Sequence, residues 1–231
     1  MSAKQKRRLK VLKLVKHVTQ TYSRVDKEIT DARAALPGIP CKRGCNACCR
    51  MHTIITAAEA FTIVEKHPEL VRSRLPVLKE QAEIMTDLAK KYDNQTLKHE
   101  VVIGSDWWAL QLACPLLLDD GSCGVYAVRP IACRTHMVVD DPARCAMVPA
   151  VYIAHCVPIQ LRDGAYTEIS DNWFADMRTH VYPFGSLPKM VLIAYNTLMG
   201  SGPLFSTRAT KSTSEIPHED AKDSSSEPDC E

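Results

Sequence analysis

Hydrophobic residues recur at steps of three or four through the first thirty-six positions: Leu9, Leu12, Val15, Val18, Tyr22, Val25 and Ile29. That period places them on one face of an α-helix. Pro37, Gly38 and Pro40 end the segment, because proline fixes the backbone and has no amide proton to extend a helix. Thr56-Ala57-Ala58-Glu59 has the form of a capping box, which predicts a short helix to about Lys66, stopped by His67-Pro68. A further helix is expected from near Pro76, with Leu78, Ala82, Met85 and Leu88/Ala89 on its inner face. Val101–Ile103 reads as a short strand, and residues 104–160 as loops with short elements. Asp171 is expected to cap a helix over 172–180. Ser186 is expected to cap another, with Pro188 near its start and Gly200 just past its end. The fold class is therefore mainly α: one small domain with an irregular, loop-rich core, an N-terminal helix and a disordered C-terminal tail.

Charge refines the two ends. Residues 1–36 hold ten Lys or Arg against three acids, a net of +7. The whole chain carries only +2. A nucleic acid or an anionic surface is one partner for such a helix. The plainer expectation is a helix packed on its own domain with a solvated basic face, and a protein partner stays open. Residues 204–231 are rich in Ser, Thr, Asp and Glu, with a net of −4. That composition cannot bury a core. The expected organisation is a basic helix at 1–36, a cysteine-rich domain at 37–160, a helical extension at 161–203 and an acidic tail at 204–231.

Composition is ordinary for a globular chain, 45% hydrophobic and 24% charged, and no apolar run reaches the length of a transmembrane helix. Ten cysteines are the exception. The basic start lacks the apolar run of a secretory signal, so the expected location is cytoplasmic. There, clustered thiols favour metal or redox chemistry over structural disulfides.

The first cluster is Cys41-Lys42-Arg43-Gly44-Cys45-Asn46-Ala47-Cys48-Cys49. Close spacing lets thiolates turn toward one ion across a tight loop, and Gly44 permits the sharp backbone this needs. Thiolates are soft donors, suited to zinc, copper(I) or iron–sulfur clusters. Cys114, Cys123, Cys133 and Cys145 form a second, dispersed group, so that eight sulfurs make two tetrahedral sets by count. Neighbouring side chains in extended backbone point to opposite sides, so Cys48 and Cys49 suit two centres, or one polynuclear centre, with the two groups interleaved. Cys156 and Cys230 read as a core residue and a tail residue. Loss of the metal is expected to collapse residues 38–150, because a structural zinc site contributes about 10–16 kcal/mol.

Cys41-x3-Cys45-x2-Cys48-Cys49, followed by Cys114-Pro115, Gly121-Ser122-Cys123 and Arg129-Pro130-x2-Cys133-Arg134, closely resembles the YkgJ-type cysteine-cluster family. This is also called the CxxCxxCC domain and is regarded as zinc- or iron-chelating; a flagellin lysine methylase contains a related module. The resemblance covers about residues 38–150. It implies eight metal-ligating cysteines, seven of them Cys41, Cys45, Cys48, Cys49, Cys114, Cys123 and Cys133. Cys145 fits the eighth place best, with Cys156 as competitor. Zinc and iron, including an iron–sulfur cluster, remain alternatives.

The spacing Cys41-x3-Cys45-x2-Cys48 also matches the cluster loop of radical S-adenosylmethionine enzymes. The alternative function is thus a metalloenzyme for redox or side-chain modification chemistry, without an assigned catalytic residue. Cys49 is extra to that pattern, and no repeated βα units follow it. His52 and His136 are candidate substitute ligands, more simply surface or supporting groups. Arg129 and Arg134 flank Cys133, either stabilising thiolate charge and binding an anion or bonding loop carbonyls. Asp119-Asp120 and Asp140-Asp141 read as turns. Trp107, Trp108, Trp173 and Phe174 read as shielding groups.

Overall fold

The computed structural model describes residues 3–35, 39–91, 98–138, 145, 157, 159–177 and 184–199. Of these, 71% are helical, in eight helices with a single two-stranded sheet. The order is α1 (Ala3–Ala35), β1 (Ile54–Thr56), α2 (Ala57–Lys66), α3 (Pro68–Ser73), α4 (Leu75–Lys91), α5 (Lys98–Ala109), a 3₁₀ turn (Tyr126–Val128), α6 (Ile131–Thr135), α7 (Ile159–Met177), β2 (Phe184–Ser186) and α8 (Leu187–Met199). The tail at 204–231, Cys156, Cys230 and Asp140-Asp141 lie outside the described residues.

The core forms where α1, α2, α7 and α8 pack together. Helix α1 contributes Val11, Leu14, Val15, Val18, Tyr22, Val25 and Ile29. Leu9 and Leu12 instead face outward, 54% and 41% exposed. At 100° per residue they stand opposite the line through Val11, Leu14 and Val18, so the true face is rotated from the one read in the sequence. Arg8 pairs with Glu65, and Lys13 with the buried Asp176. The helix thus lies against its own domain, as the plainer reading expects.

Helix α2 starts as its capping box predicts. Thr56 accepts from the Glu59 amide, and the Glu59 carboxylate accepts from the Thr56 amide at 2.8 Å. Its Phe61 ring stacks on Trp173 of α7 at 6.2 Å between centroids. Trp107, Trp108 and Trp173 are buried, whereas Phe174 is exposed. Pro68 then opens α3 directly after His67.

Two elements differ from expectation. Val101–Ile103 lies within α5 rather than in a strand. Ile103 and Trp107 stand four residues apart and pack on Met85 of α4, so the helical period outweighs a brief β-branched run. Asp171 lies inside α7 rather than before it. Ala165, Ile169 and Trp173 form one buried stripe through that point, which carries the helix past the capping residue. The β1–β2 pair, Ile54 opposite Ser186 through Thr56 opposite Phe184, was too short to read in the sequence. It fixes the chain just after the first cysteine cluster, and the Leu187 amide donates to Thr53 O nearby.

Candidate metal centre

The first cluster is a run of turns: the Cys45 amide donates to Lys42 O, Cys49 to Asn46 O and Met51 to Cys48 O. Gly44 takes φ +91°, the left-handed conformation that glycine permits. The extended backbone assumed for Cys48-Cys49 is therefore absent. Cys48 and Cys49 sit within these turns, and the Cys49 thiol acts directly to raise that of Cys48.

The second group folds back onto this knot. The Cys114 amide donates to Cys49 O at 2.6 Å. Leu117 and Cys123 bridge in an antiparallel pair around a tight loop, and Asp120 Oδ1 closes it by accepting from the Ser122 amide. Asp119 pairs with Arg74. Both aspartates are thus turn and surface groups. Asn46 Nδ2 reaches across to Gly121 O at 3.0 Å, tying the two groups together. Gly121 has φ +79°, and a Cβ there would stand 2.7 Å from Asn46 Nδ2. Gly121→Ala is therefore expected to cost about 1–3 kcal/mol through strain and the displaced tie. An unchanged melting temperature would contradict this.

Cys133 rides on α6, whose place is set by a buried carboxylate. Glu59 Oε1 accepts from the Ile131 amide at 2.7 Å, and Oε2 from Thr56 Oγ1 at 2.9 Å. Tyr22 of α1 adds its hydroxyl at 3.4 Å. Arg134 locks the same segment: it is buried, donates to Arg129 O, Ala127 O and Asp26, and lies 4.1 Å from the Tyr22 ring centroid. Arg134 is thus structural. Arg129 differs. Its guanidinium stacks on Tyr126 at 4.2 Å, its buried Nε has no hydrogen-bond partner among the described residues, and its charge acts to lower Cys48, Cys123 and Cys133.

Of the eight cysteines expected as ligands, Cys41, Cys45, Cys48, Cys49, Cys114, Cys123 and Cys133 are half-buried and Cys145 is buried; none of these eight is in a disulfide. Cys48 is the shared neighbour, acting electrostatically on Cys41, Cys114, Cys123 and Cys133. Cys41 also feels Cys45, accepts from the Val138 amide at 3.4 Å and packs with Cys145 and Val138. Cysteines of both groups therefore share one region. Among the described residues, no three His, Cys, Asp or Glu side chains already stand as a metal site requires. The donor chemistry nonetheless fits zinc or iron: these are soft sulfur donors beside a cationic guanidinium, and each has staggered χ1 positions to turn through.

Burial raises the Cys41, Cys123 and Cys133 thiols and pushes Cys114 up to about 12. Cys48 is raised first by the adjoining Cys49 thiol and then by burial. An unfolded thiol ionises near about 8.5. Between that value and the raised ones the folded, metal-free chain holds more protons, so its stability falls as pH rises through the window. Metal-free protein is expected to melt at a lower temperature at pH 10 than at pH 7; equal melting would contradict this. Metal binding must expel the same protons, so uptake weakens as pH falls. Burial lowers His52 to about 4, leaving its imidazole neutral at physiological pH.

No helix among the described residues is long and apolar enough to cross a membrane. The described residues also form no barrel of alternating strands and helices. Comparison with curated proteins and with solved structures finds no match. Residues 40–151 match the family model CxxCxxCC, described as "Putative zinc- or iron-chelating domain". That span contains all eight cysteines of the two groups, and it is over residues 40–151 that the chain matches the CxxCxxCC family model.

Proposed function

We propose that this protein is a metal-binding module in which Cys41, Cys45, Cys48, Cys49, Cys114, Cys123, Cys133 and Cys145 hold zinc or iron. The observation that carries this reading is the position of Cys48, a neighbour to thiols from both cysteine groups. The neighbours sort into two sets. Arg129 acts on Cys48, Cys123 and Cys133, and Cys114 is a neighbour of Cys48 and Cys123, while Cys41 packs with Cys145 beside Met51 and Val138 and has Cys45 as a further neighbour. Two sulfur-only sets are closed sites, and closed coordination is the mark of a structural or storage centre rather than an open catalytic one. Arg129 offsets part of the negative charge that the thiolates bring.

The test is metal content measured on Cys145→Ser and Cys156→Ser proteins beside the parent. Loss of metal in the first and retention in the second supports the set above. The reverse result moves the eighth ligand to Cys156. Retention of full metal content in both would contradict an eight-cysteine set. An absorption spectrum of anaerobically purified protein separates the two metals, since an iron–sulfur cluster is brown and zinc is colourless.

A further inference from the structure

Tyr126 stands between the two cysteine groups and carries two cations on its ring. Its amide donates to Cys123 O at 3.3 Å, and the Arg129 amide donates to Tyr126 O at 3.4 Å. Ring and guanidinium thus spring from one tight turn that begins at a candidate ligand. Arg129 is fixed from its other side as well, since its carbonyl accepts from Arg134 Nε at 2.8 Å. Its guanidinium lies 4.2 Å from the Tyr126 ring centroid. Arg43, midway between Cys41 and Cys45 in the first loop, reaches the same ring at 5.2 Å. Aromatic faces attract guanidinium groups through the ring quadrupole, so this ring ties the first cysteine loop to the second group.

Neither cation has an acceptor. Arg134 pairs with Asp26 and donates to two carbonyls. Arg129 and Arg43, in contrast, enter no ion pair and donate no side-chain hydrogen bond among the described residues. Arg43 is exposed, but Arg129 is half-buried and its Nε is closed to solvent. A cation drawn out of water without a counter-charge is unfavourable. The Arg129 charge reaches Cys48, Cys123 and Cys133, which are neutral as thiols and anionic once they hold metal.

We propose that Tyr126 is a positioning residue of the metal centre: its ring holds Arg129, with Arg43 as a second cation, close to the Cys48, Cys123 and Cys133 sulfurs, and Arg129 gains its missing counter-charge only when those sulfurs ionise around a metal. This assignment rests on the metal-binding reading above. A divalent ion among four thiolates stays anionic, and a nearby cation stabilises that charge most where water is excluded. Arg129 therefore favours the loaded centre and burdens the metal-free one. The two effects have opposite signs, which separates this role from ordinary packing.

The experiment titrates cadmium into the full chain against a competing chelator, reading the thiolate–cadmium absorption, and measures the melting temperature of each protein without metal. The parent is compared with Arg129→Met, Arg129→Lys, Tyr126→Leu and Tyr126→Phe. Methionine keeps the length and apolar stem of Arg129 without its charge. Arg129→Met is expected to bind cadmium about 10–100-fold more weakly, with no fall in the metal-free melting temperature, because its backbone bonds remain. Arg129→Lys should recover part of the loss. Tyr126→Phe keeps the ring and should match the parent, whereas Tyr126→Leu should fall between the parent and Arg129→Met. Parental affinity in Arg129→Met would overturn the role of the charge, and parental affinity in Tyr126→Leu would overturn the positioning role. A metal-free Arg129→Met protein that melts well below the parent would make Arg129 a structural group and overturn the proposal as well. A parent protein that takes up no cadmium contradicts the metal-binding reading itself, and the proposal falls with it.

Discussion

Cys48→Ser protein is expected to bind its metal more than tenfold more weakly than the parent. Removing a hydrogen-bond partner of a metal ligand already costs about 10–100-fold, and Cys48 is proposed as a ligand in its own right. Its thiol is a neighbour of Cys49 as well as of Cys41, Cys114, Cys123 and Cys133. Loss at this one position therefore disturbs both proposed sets. Serine keeps the size and the turn, so the helices should survive. Metal content after dialysis, read beside the far-ultraviolet circular dichroism, checks this. A Cys48→Ser protein with full metal content would contradict the shared position of Cys48.

Glu59→Ala is expected to give the largest loss of stability of any single change outside the cysteines. The substitution leaves four buried donors, the Ile131 amide, the Thr56 amide and hydroxyl and the Tyr22 hydroxyl, without their acceptor. Each unpaired buried group costs about 1–3 kcal/mol. A total of about 3 kcal/mol or more follows, against a domain stability of about 5–15 kcal/mol. For a chain of this size that corresponds to a fall of about 6–12 °C in Tm. Glu59→Gln should lose less, because its carbonyl can still accept from Ile131 while its amide faces the Thr56 donors. The Glu59→Ala protein should also hold metal more weakly, since the Ile131 amide begins the helix that carries Cys133. A Tm within about 2 °C of the parent, less than the loss of a single such bond would give, would contradict the account of Glu59 as a tie between α1, α2 and α6.

Local signals with a chemical cause were legible in the sequence. The Thr56–Glu59 capping box, the proline after His67 and the glycine at position 44 each act within a few residues, and each appears where expected. The cysteine spacing was legible for the same reason. Features that depend on partners distant in sequence were not. The outward turn of Leu9 and Leu12 depends on which face of α1 meets α2 and α7. The second role of Glu59 depends on an amide seventy-two positions away. The turns that hold Cys48 and Cys49 are not revealed by the spacing alone. Because the Phe61–Trp173 contact and the rest of the apolar core hold α2 by themselves, metal removal should loosen the cysteine loops while the helical core remains. The sequence alone implied a wider collapse.

X-ray absorption at the metal edge of anaerobically purified protein tests the central claim most directly. The account predicts stoichiometric zinc or iron with a first shell of sulfur alone, at about 2.3 Å if the metal is zinc. A shell dominated by nitrogen and oxygen, or protein without stoichiometric metal, would contradict it.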